Sequence, residues 1–463
     1  RDPSRMAEVL NRVIEKAIRG SAPAQINVPR DYWCQVIDID LPPIVRLERQ
    51  GGGAEAISKA ADLLSKAKFP VILSGAGVVI GGAIEETKKL AEKLDSPVCS
   101  GYQHNDSFPG SHPLAVGPLG YNGSKAAMEL ISKADVVLAL GTRLNPFSTL
   151  PGYGIDYWPK KASIIQVDIN PDRIGLTKKV TVGISGDAKL VASQILEKLS
   201  SNAGDTDRQK RKDLIHQTKS AWLQKLSSLD HEDDDEGTVW NKEARERDSD
   251  RMSPRQAWRA IQAGMPEDVI ISSDIGNNCA IGNAYPTFEK PRKYLAPGLF
   301  GPCGYGFPSI LGAKIGCPDT PVIGFAGDGA FGISMNEMSS CAREEWPAIT
   351  MVIFRNYQWG AEKRNTTLWF DNNFIGTELD PELSYAKVAD ACGLKGVTVR
   401  NMEETTAAIK KSCDDQKKGI TTFIEVILNQ ELGEPFRRDA MKKPVKVAGI
   451  KKEDMKPQKS LNG

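Results

Sequence analysis

"GFAGDGAFGISMNEM", residues 324–338, leaves an apolar run, sets one carboxylate, Asp328, between two glycines, and then takes up helical spacing. A surface turn asks for glycine, but not for an acid held at the end of a buried strand. Residues 321–359 read as one βαβ crossover: "PVIGFAGDG" is a strand, "ISMNEMSSCAREE" a helix, and "AITMVIFRN" a second strand ending at Arg355 and Asn356. In a parallel sheet both strands end on one edge, the edge at which open α/β sheets bind ligands. Asp328 and Asn356 should therefore converge, although 28 positions separate them. A carboxylate, an amide oxygen and a carbonyl from the following loop make half of an oxygen octahedron, which suits Mg²⁺ completed by phosphate oxygens and water. Gly329 and Ala330 open the helix, where free N–H groups and the helix dipole favour a phosphate. The residues alone thus point to a magnesium diphosphate site; the bland alternative is a tight turn with a capping aspartate.

The bulk properties narrow the function classes. At 463 residues the chain exceeds the roughly 250–300 at which a single core stops growing, so two or three domains are expected. A formal charge of +1 argues against a strongly electrostatic nucleic-acid partner. Eight scattered cysteines without a C-x-x-C pair argue against structural zinc and a disulfide framework, and for a reducing, cytoplasmic setting. No apolar run approaches the roughly 20 residues that span a bilayer, and no leader opens the chain, so no membrane partner is expected.

Along the chain the expected class is α/β, with parallel sheets flanked by helices in each domain. Residues 1–45 begin with a helical stripe (Leu10, Val13, Ile14, Ala17, Ile18), and "APAQINVPRD" follows as a short strand. Neither can bury a core alone, so 1–45 is either an N-terminal arm docked on the next domain or, the favoured expectation, the end of a domain that starts before Arg1. Residues 50–200 alternate helix and strand patterns; there "GAGVVIG" (75–81) misses the spacing G-x-G-x-x-G, and Asp168 could either meet a ribose or cap a turn. Residues 201–252 are highly charged and read as a linker, in which His231 with Asp233, Asp234 and Asp235 matches no calcium loop. The strand–helix rhythm resumes over 253–440, and 441–463 is a basic tail.

The GDG triplet, with 25 residues between it and Arg355–Asn356, resembles the thiamine diphosphate motif, except that arginine stands where the first asparagine is usual. By that resemblance Asp328, Asn356 and the main-chain carbonyl of Gln358 hold Mg²⁺. "SDIGNN" resembles the earlier diphosphate loop, giving Gly276, Asn277 and Asn278. "FGPCGYGFPSILGAKIG" resembles the loop and helix that hold the cofactor rings in the acetolactate synthase superfamily. The implied contacts to the aminopyrimidine are the Gly301 carbonyl and the Cys303 N–H, with the Cys303 side chain where a larger apolar wedge is common.

"FRNYQWGAEKRNTTLWFDNNFIGTELD" is similar to the sulfoacetaldehyde acetyltransferases. That likeness implies conversion of sulfoacetaldehyde and phosphate to acetyl phosphate and sulfite. An acetolactate synthase-like carboligase or decarboxylase is the alternative, as is a truncated cofactor-binding module without activity of its own. Arg355, Lys363 and Arg364 are candidates for the substrate anions, or else surface cations and partners of Glu362 and Asp371. The resemblance also implies an activating glutamate from the pyrimidine-binding domain of a partner subunit, in a homodimer or homotetramer. No such glutamate is expected in this chain, where Glu8 and Glu15 lie on the first helix. Relatives use the central domain to hold FAD, an adenine nucleotide or nothing, and no flavin is expected.

Overall fold

Two runs of apolar strands, most of them buried on both faces, organise the chain into two parallel sheets. The computed structural model describes residues 2–20, 22–41, 48–203, 205, 207–228, 248–298, 300–370 and 373–431. The first sheet comprises β1 (Pro70–Ser74), β2 (Val98–Ser100), β3 (Ala115–Pro118), β4 (Val136–Leu140), β5 (Ser163–Asp168) and β6 (Val182–Ser185), in the order β3-β2-β1-β4-β5-β6. The second comprises β7 (Ile270–Ser273), β8 (Tyr294–Leu295), β9 (Val322–Gly327), β10 (Thr350–Arg355), β11 (Lys395–Val399) and β12 (Thr422–Ile427), in the order β11-β12-β10-β9-β7-β8. Every pairing within them is parallel. Val71, Ile72 and Leu73 in β1, and Met351, Val352 and Ile353 in β10, are fully buried, as strands covered by helices on both faces must be.

In the first sheet the strand order reverses between β1 and β4. "GAGVVIG" begins there and continues as the helix Ala76–Gly81. The Gly77 N–H donates to the Gly141 carbonyl at 2.8 Å, and a Cβ on Gly77 would lie 2.6 Å from the Gly141 Cα. The two loops touch through their backbones because neither carries a side chain. Asp168 accepts the Asn170 N–H at 2.9 Å and so caps the turn after β5.

Three expectations need correction. Residues 23–29 make no strand, since no described strand lies beside them to accept a ladder; an extended stretch leads instead into the 3₁₀ turn Arg30–Cys34. The charged segment after 201 does not remain a linker, because Arg208–Ser228 forms a 21-residue helix. Its Arg211 is buried and donates to the carbonyls of Leu94 (2.9 Å) and Asp95 (3.0 Å), satisfying acceptors at the end of the helix Ile84–Leu94, and to the Lys68 carbonyl (2.8 Å) just before β1. Thirdly, the helix after the GDG triplet is broken into Asp328–Ser334, a 3₁₀ turn Met335–Glu337, and Met338–Cys341. Gly332 and Ser334, both weak helix formers, stand just before the break. His231 and Asp233 to Asp235 lie outside the described residues.

The core beneath the second sheet's ligand edge is aromatic. Trp258, on the helix Pro254–Gly264, packs at a tilt against Phe325 (4.7 Å between centroids) and Phe354 (5.3 Å), and its indole N–H donates to the Asn278 carbonyl at 2.7 Å. A Cβ on Gly282 would come within 2.2 Å of that indole. Trp258→Ala should therefore cost roughly 3–5 kcal/mol and Gly282→Ala roughly 1–3 kcal/mol, read as lowered urea midpoints. Native midpoints in both variants would refute this packing.

Candidate functional site

The register of β9 against β10 pairs Gly327 with Phe354, so Asp328 emerges beside Arg355 and the loop that carries Asn356 and Gln358. Asp328 is 1% exposed. Its Oδ1 accepts the Gly329 N–H (2.9 Å), while Oδ2 accepts the Tyr357 N–H (2.7 Å) and Arg355 Nη1 (3.1 Å). Tyr357 reaches that position with φ +60°, the left-handed region in which a non-glycine residue is strained. Burial pushes the Asp328 carboxyl up to about 6, against the opposing pull of Arg355 and the two N–H groups.

Asn356 is buried, yet its side-chain amide makes no hydrogen bond to another described residue. Its carbonyl accepts Gln430 Nε2 at 3.2 Å. Gln358 donates through Nε2 to the Gln430 carbonyl at 3.1 Å, and its buried Oε1 has no partner. Backbone bonds from Trp359 to Thr377 (2.8 Å) and from Leu379 to Tyr357 (2.9 Å) fix the loop. A Cβ on Gly329 would lie 2.8 Å from the Trp359 ring, so glycine at this position leaves room for the indole. Ala330 is buried beside it.

A residue that motif reasoning missed joins the other two loops. Asp274, 1% exposed, accepts the Ile275 N–H (2.7 Å) and Gly304 N–H (3.1 Å) on Oδ1, and the Gly306 N–H (2.7 Å) on Oδ2. It thereby ties "SDIGNN" to "GPCGYG". The available signal was the same as at Asp328, an acid directly after a buried strand. Gly276 has φ +139° and caps the short helix Asn277–Ile281, while Gly301 has φ +69° and Cys303 is exposed. Asn277 Nδ2 and Asn278 Oδ1 are buried without hydrogen-bond partners. Such atoms cost about 1–3 kcal/mol each unless a ligand satisfies them. With the Asn356 amide, these orphaned groups fit a bound diphosphate and its metal.

The candidate anion-binding cations have different fates. Arg355 is not placed to meet a substrate: it is 1% exposed, paired with Asp328, lies 3.7 Å from Glu425, and donates to the Leu383 and Asp380 carbonyls. Burying a guanidinium inside the sheet layer is costly unless it has such partners. Lys363 pairs with Glu378 and lies over the Phe374 ring. Arg364 is buried with its guanidinium 4.9 Å from the ring centre of Tyr121, a residue of the first α/β unit. The Tyr121 hydroxyl in turn meets Asn277 Oδ1 at 3.4 Å. Glu8 forms an exposed pair with Arg5 at 3.0 Å. Among the described residues no cluster of three His, Cys, Asp or Glu is placed to hold a metal, and no helix is long and apolar enough to cross a membrane.

The family description "Thiamine pyrophosphate enzyme, central domain" matches residues 57–196, and "Thiamine pyrophosphate enzyme, C-terminal TPP binding domain" matches residues 274–426. Over 461 residues the chain is 78% identical to the probable sulfoacetaldehyde acetyltransferase of Rhizobium meliloti, covering 100% of this chain and 78% of that protein. It is 72% identical over 458 residues to the sulfoacetaldehyde acetyltransferase of Roseovarius nubinhibens, covering 99% and 76%. In fold it is similar to the crystal structure of benzoylformate decarboxylase from Polynucleobacter necessarius, with TM-score 0.71 and 18% identity over 94% of this chain and 75% of that one. The chain belongs to the sulfoacetaldehyde acetyltransferase family of thiamine pyrophosphate enzymes.

Proposed function

We propose that this chain takes part in the thiamine diphosphate- and Mg²⁺-dependent conversion of sulfoacetaldehyde and phosphate to acetyl phosphate and sulfite. The observation that carries this reading is the convergence of buried Asp328 with the loop of Asn356 and Gln358. Asp328, the Asn356 amide oxygen and the Gln358 carbonyl would hold the metal. The N–H groups of Gly329 and Ala330, with Gly276, Asn277 and Asn278, would face the diphosphate. Gly301 and Cys303 would bond the aminopyrimidine through their backbones. Thiamine diphosphate, when bound, supplies the electron sink for the aldehyde carbon.

The reaction balances without an external oxidant. The C–S bond breaks, a carbon–oxygen bond to phosphate forms, and the aldehyde carbon rises to the acyl level as its neighbour is reduced to a methyl group. Both substrates carry anionic groups, for which Lys363 and Arg364 are the remaining candidates on this chain, and Arg364 is held by Tyr121. The activating glutamate would come from a partner subunit of a homodimer or homotetramer. No flavin is called for by the chemistry. Eight free thiols suit a reducing, cytoplasmic setting.

Binding and turnover test this separately. Thiamine diphosphate with Mg²⁺ should raise the melting temperature of the native chain, and Asp328→Ala should abolish that rise. Asn356→Ala leaves no broken hydrogen bond in the apo protein and should also abolish it; full stabilisation of both variants would sink the site. In turnover, sulfite should appear only with sulfoacetaldehyde and phosphate together. If this chain gives none, adding the N-terminal region of a close relative should restore it. Pyruvate condensation without sulfite release would assign an acetolactate synthase-like activity instead.

A further inference from the structure

Arg355 occupies the position where the thiamine motif usually carries asparagine, and the structure shows what accompanies that change. Glu425 on β12 is 2% exposed and lies across the sheet from Ile353, two residues before Arg355. Its Oε2 accepts from the Ser384 hydroxyl (2.7 Å) and the Thr398 hydroxyl (3.3 Å), and its Oε1 accepts the Tyr385 N–H (3.2 Å). That same Oε1 lies 3.7 Å from Arg355 Nε. The guanidinium is flanked by the rings of Tyr357 (4.3 Å) and Tyr385 (5.4 Å), and the Tyr385 hydroxyl donates to the Asp328 main-chain carbonyl at 3.0 Å. Asp328, Arg355 and Glu425 therefore form a buried array of alternating charge.

We infer that Glu425 is a positioning residue that offsets Arg355 and so sets how strongly Asp328 holds a divalent metal; this rests on the metal-site reading above. A guanidinium keeps its charge in any protein environment, so its attraction for Asp328 competes permanently with a metal. Glu425 shares that attraction from the far side, leaving more of the Asp328 charge for the metal. Its carboxylate is bonded to Ser384, Thr398 and Tyr385, so it acts on the metal only through Arg355.

The test is Mn²⁺ binding to the full chain with thiamine diphosphate, followed by electron paramagnetic resonance of free Mn²⁺. Glu425→Gln keeps the shape, an oxygen to accept the Tyr385 N–H and an amide NH₂ whose protons the Ser384 and Thr398 hydroxyls can accept, but removes the charge. It should weaken Mn²⁺ affinity by about tenfold, the order expected for an uncompensated charge a few ångströms away in a partly screened interior. The double variant Arg355→Met with Glu425→Gln removes both charges and should regain native affinity or exceed it. Native binding in Glu425→Gln would overturn the inference, as would a double variant no tighter than the single one, since a merely structural pair predicts added damage and no recovery. Should Glu425→Gln not fold, the double variant decides alone: affinity at or above native supports the inference and weaker affinity overturns it. Native Mn²⁺ binding that survives Asp328→Ala would instead overturn the metal-site reading itself.

Discussion

Burying the Asp328 carboxylate at the carboxyl end of β9 is the constraint from which the rest of the site follows. An isolated carboxylate in that position would cost several kcal/mol. Here Arg355, the Tyr357 N–H and the Gly329 N–H offset that cost. Each of those partners imposes a further requirement. Arg355 needs acceptors of its own, which the Leu383 and Asp380 carbonyls supply, while Glu425 places a counter-charge 3.7 Å from its Nε. Tyr357 must take positive φ to aim its N–H, and the loop that permits this is fixed by Thr377, Leu379 and Gln430. Gly329 must lack a side chain, because Trp359 lies over it.

Asp274 repeats the same device one strand away. Its carboxylate is spent on three backbone N–H groups from two segments distant in sequence, so it acts as a pin and not as a ligand. Two acids leaving neighbouring parallel strands thus have different roles, decided by what surrounds them. Asp274 faces N–H groups only, whereas Asp328 faces a cation and a loop in which the buried Gln358 Oε1 lacks a partner. A ligand adds most where polar groups are left unsatisfied, and such groups stand on both sides: Asn277 and Asn278 after Asp274, and Gln358 in the loop beside Asp328.

The crossover from 321 to 359 was legible because strand length, glycine placement and the parallel register together force Asp328 towards Asn356. Arg355 was not, since a motif position says nothing about the next strand, and only β12 pairing beside β10 reveals Glu425. The helix Arg208–Ser228 was hidden by its composition: Arg211, Ile215, Trp222 and Leu226 are buried among charged neighbours, too sparse a stripe to stand out from a linker. β11 is hard to read from the sequence because "KGVTV" is a short edge strand, mostly part-exposed, with a glycine that packs against the Ala386 carbonyl. Conversely, "APAQINVPRD" has strand-like residues, but a strand requires a neighbour, and propensity cannot supply one.

The central α/β unit reaches the site through its edges. At the reversal between β1 and β4, where doubly wound sheets commonly admit a ligand, the Gly77–Gly141 contact brings the backbones of the two loops together. Contacts to the second unit come from these segments, where Arg143 donates to the Gly298 carbonyl at 3.3 Å and the Ile80 carbonyl accepts Arg292 at 3.1 Å, and from further loops. Asn105 donates to the Asn283 and Pro286 carbonyls at 2.8 Å, and Asp106 accepts the Lys293 N–H at 2.9 Å. Tyr121 touches both Asn277 and Arg364. A helix as short as Asn277–Ile281 is too brief to hold its own orientation, so the hydroxyl of Tyr121 and the indole of Trp258, pressing from opposite units, determine where its first turn points.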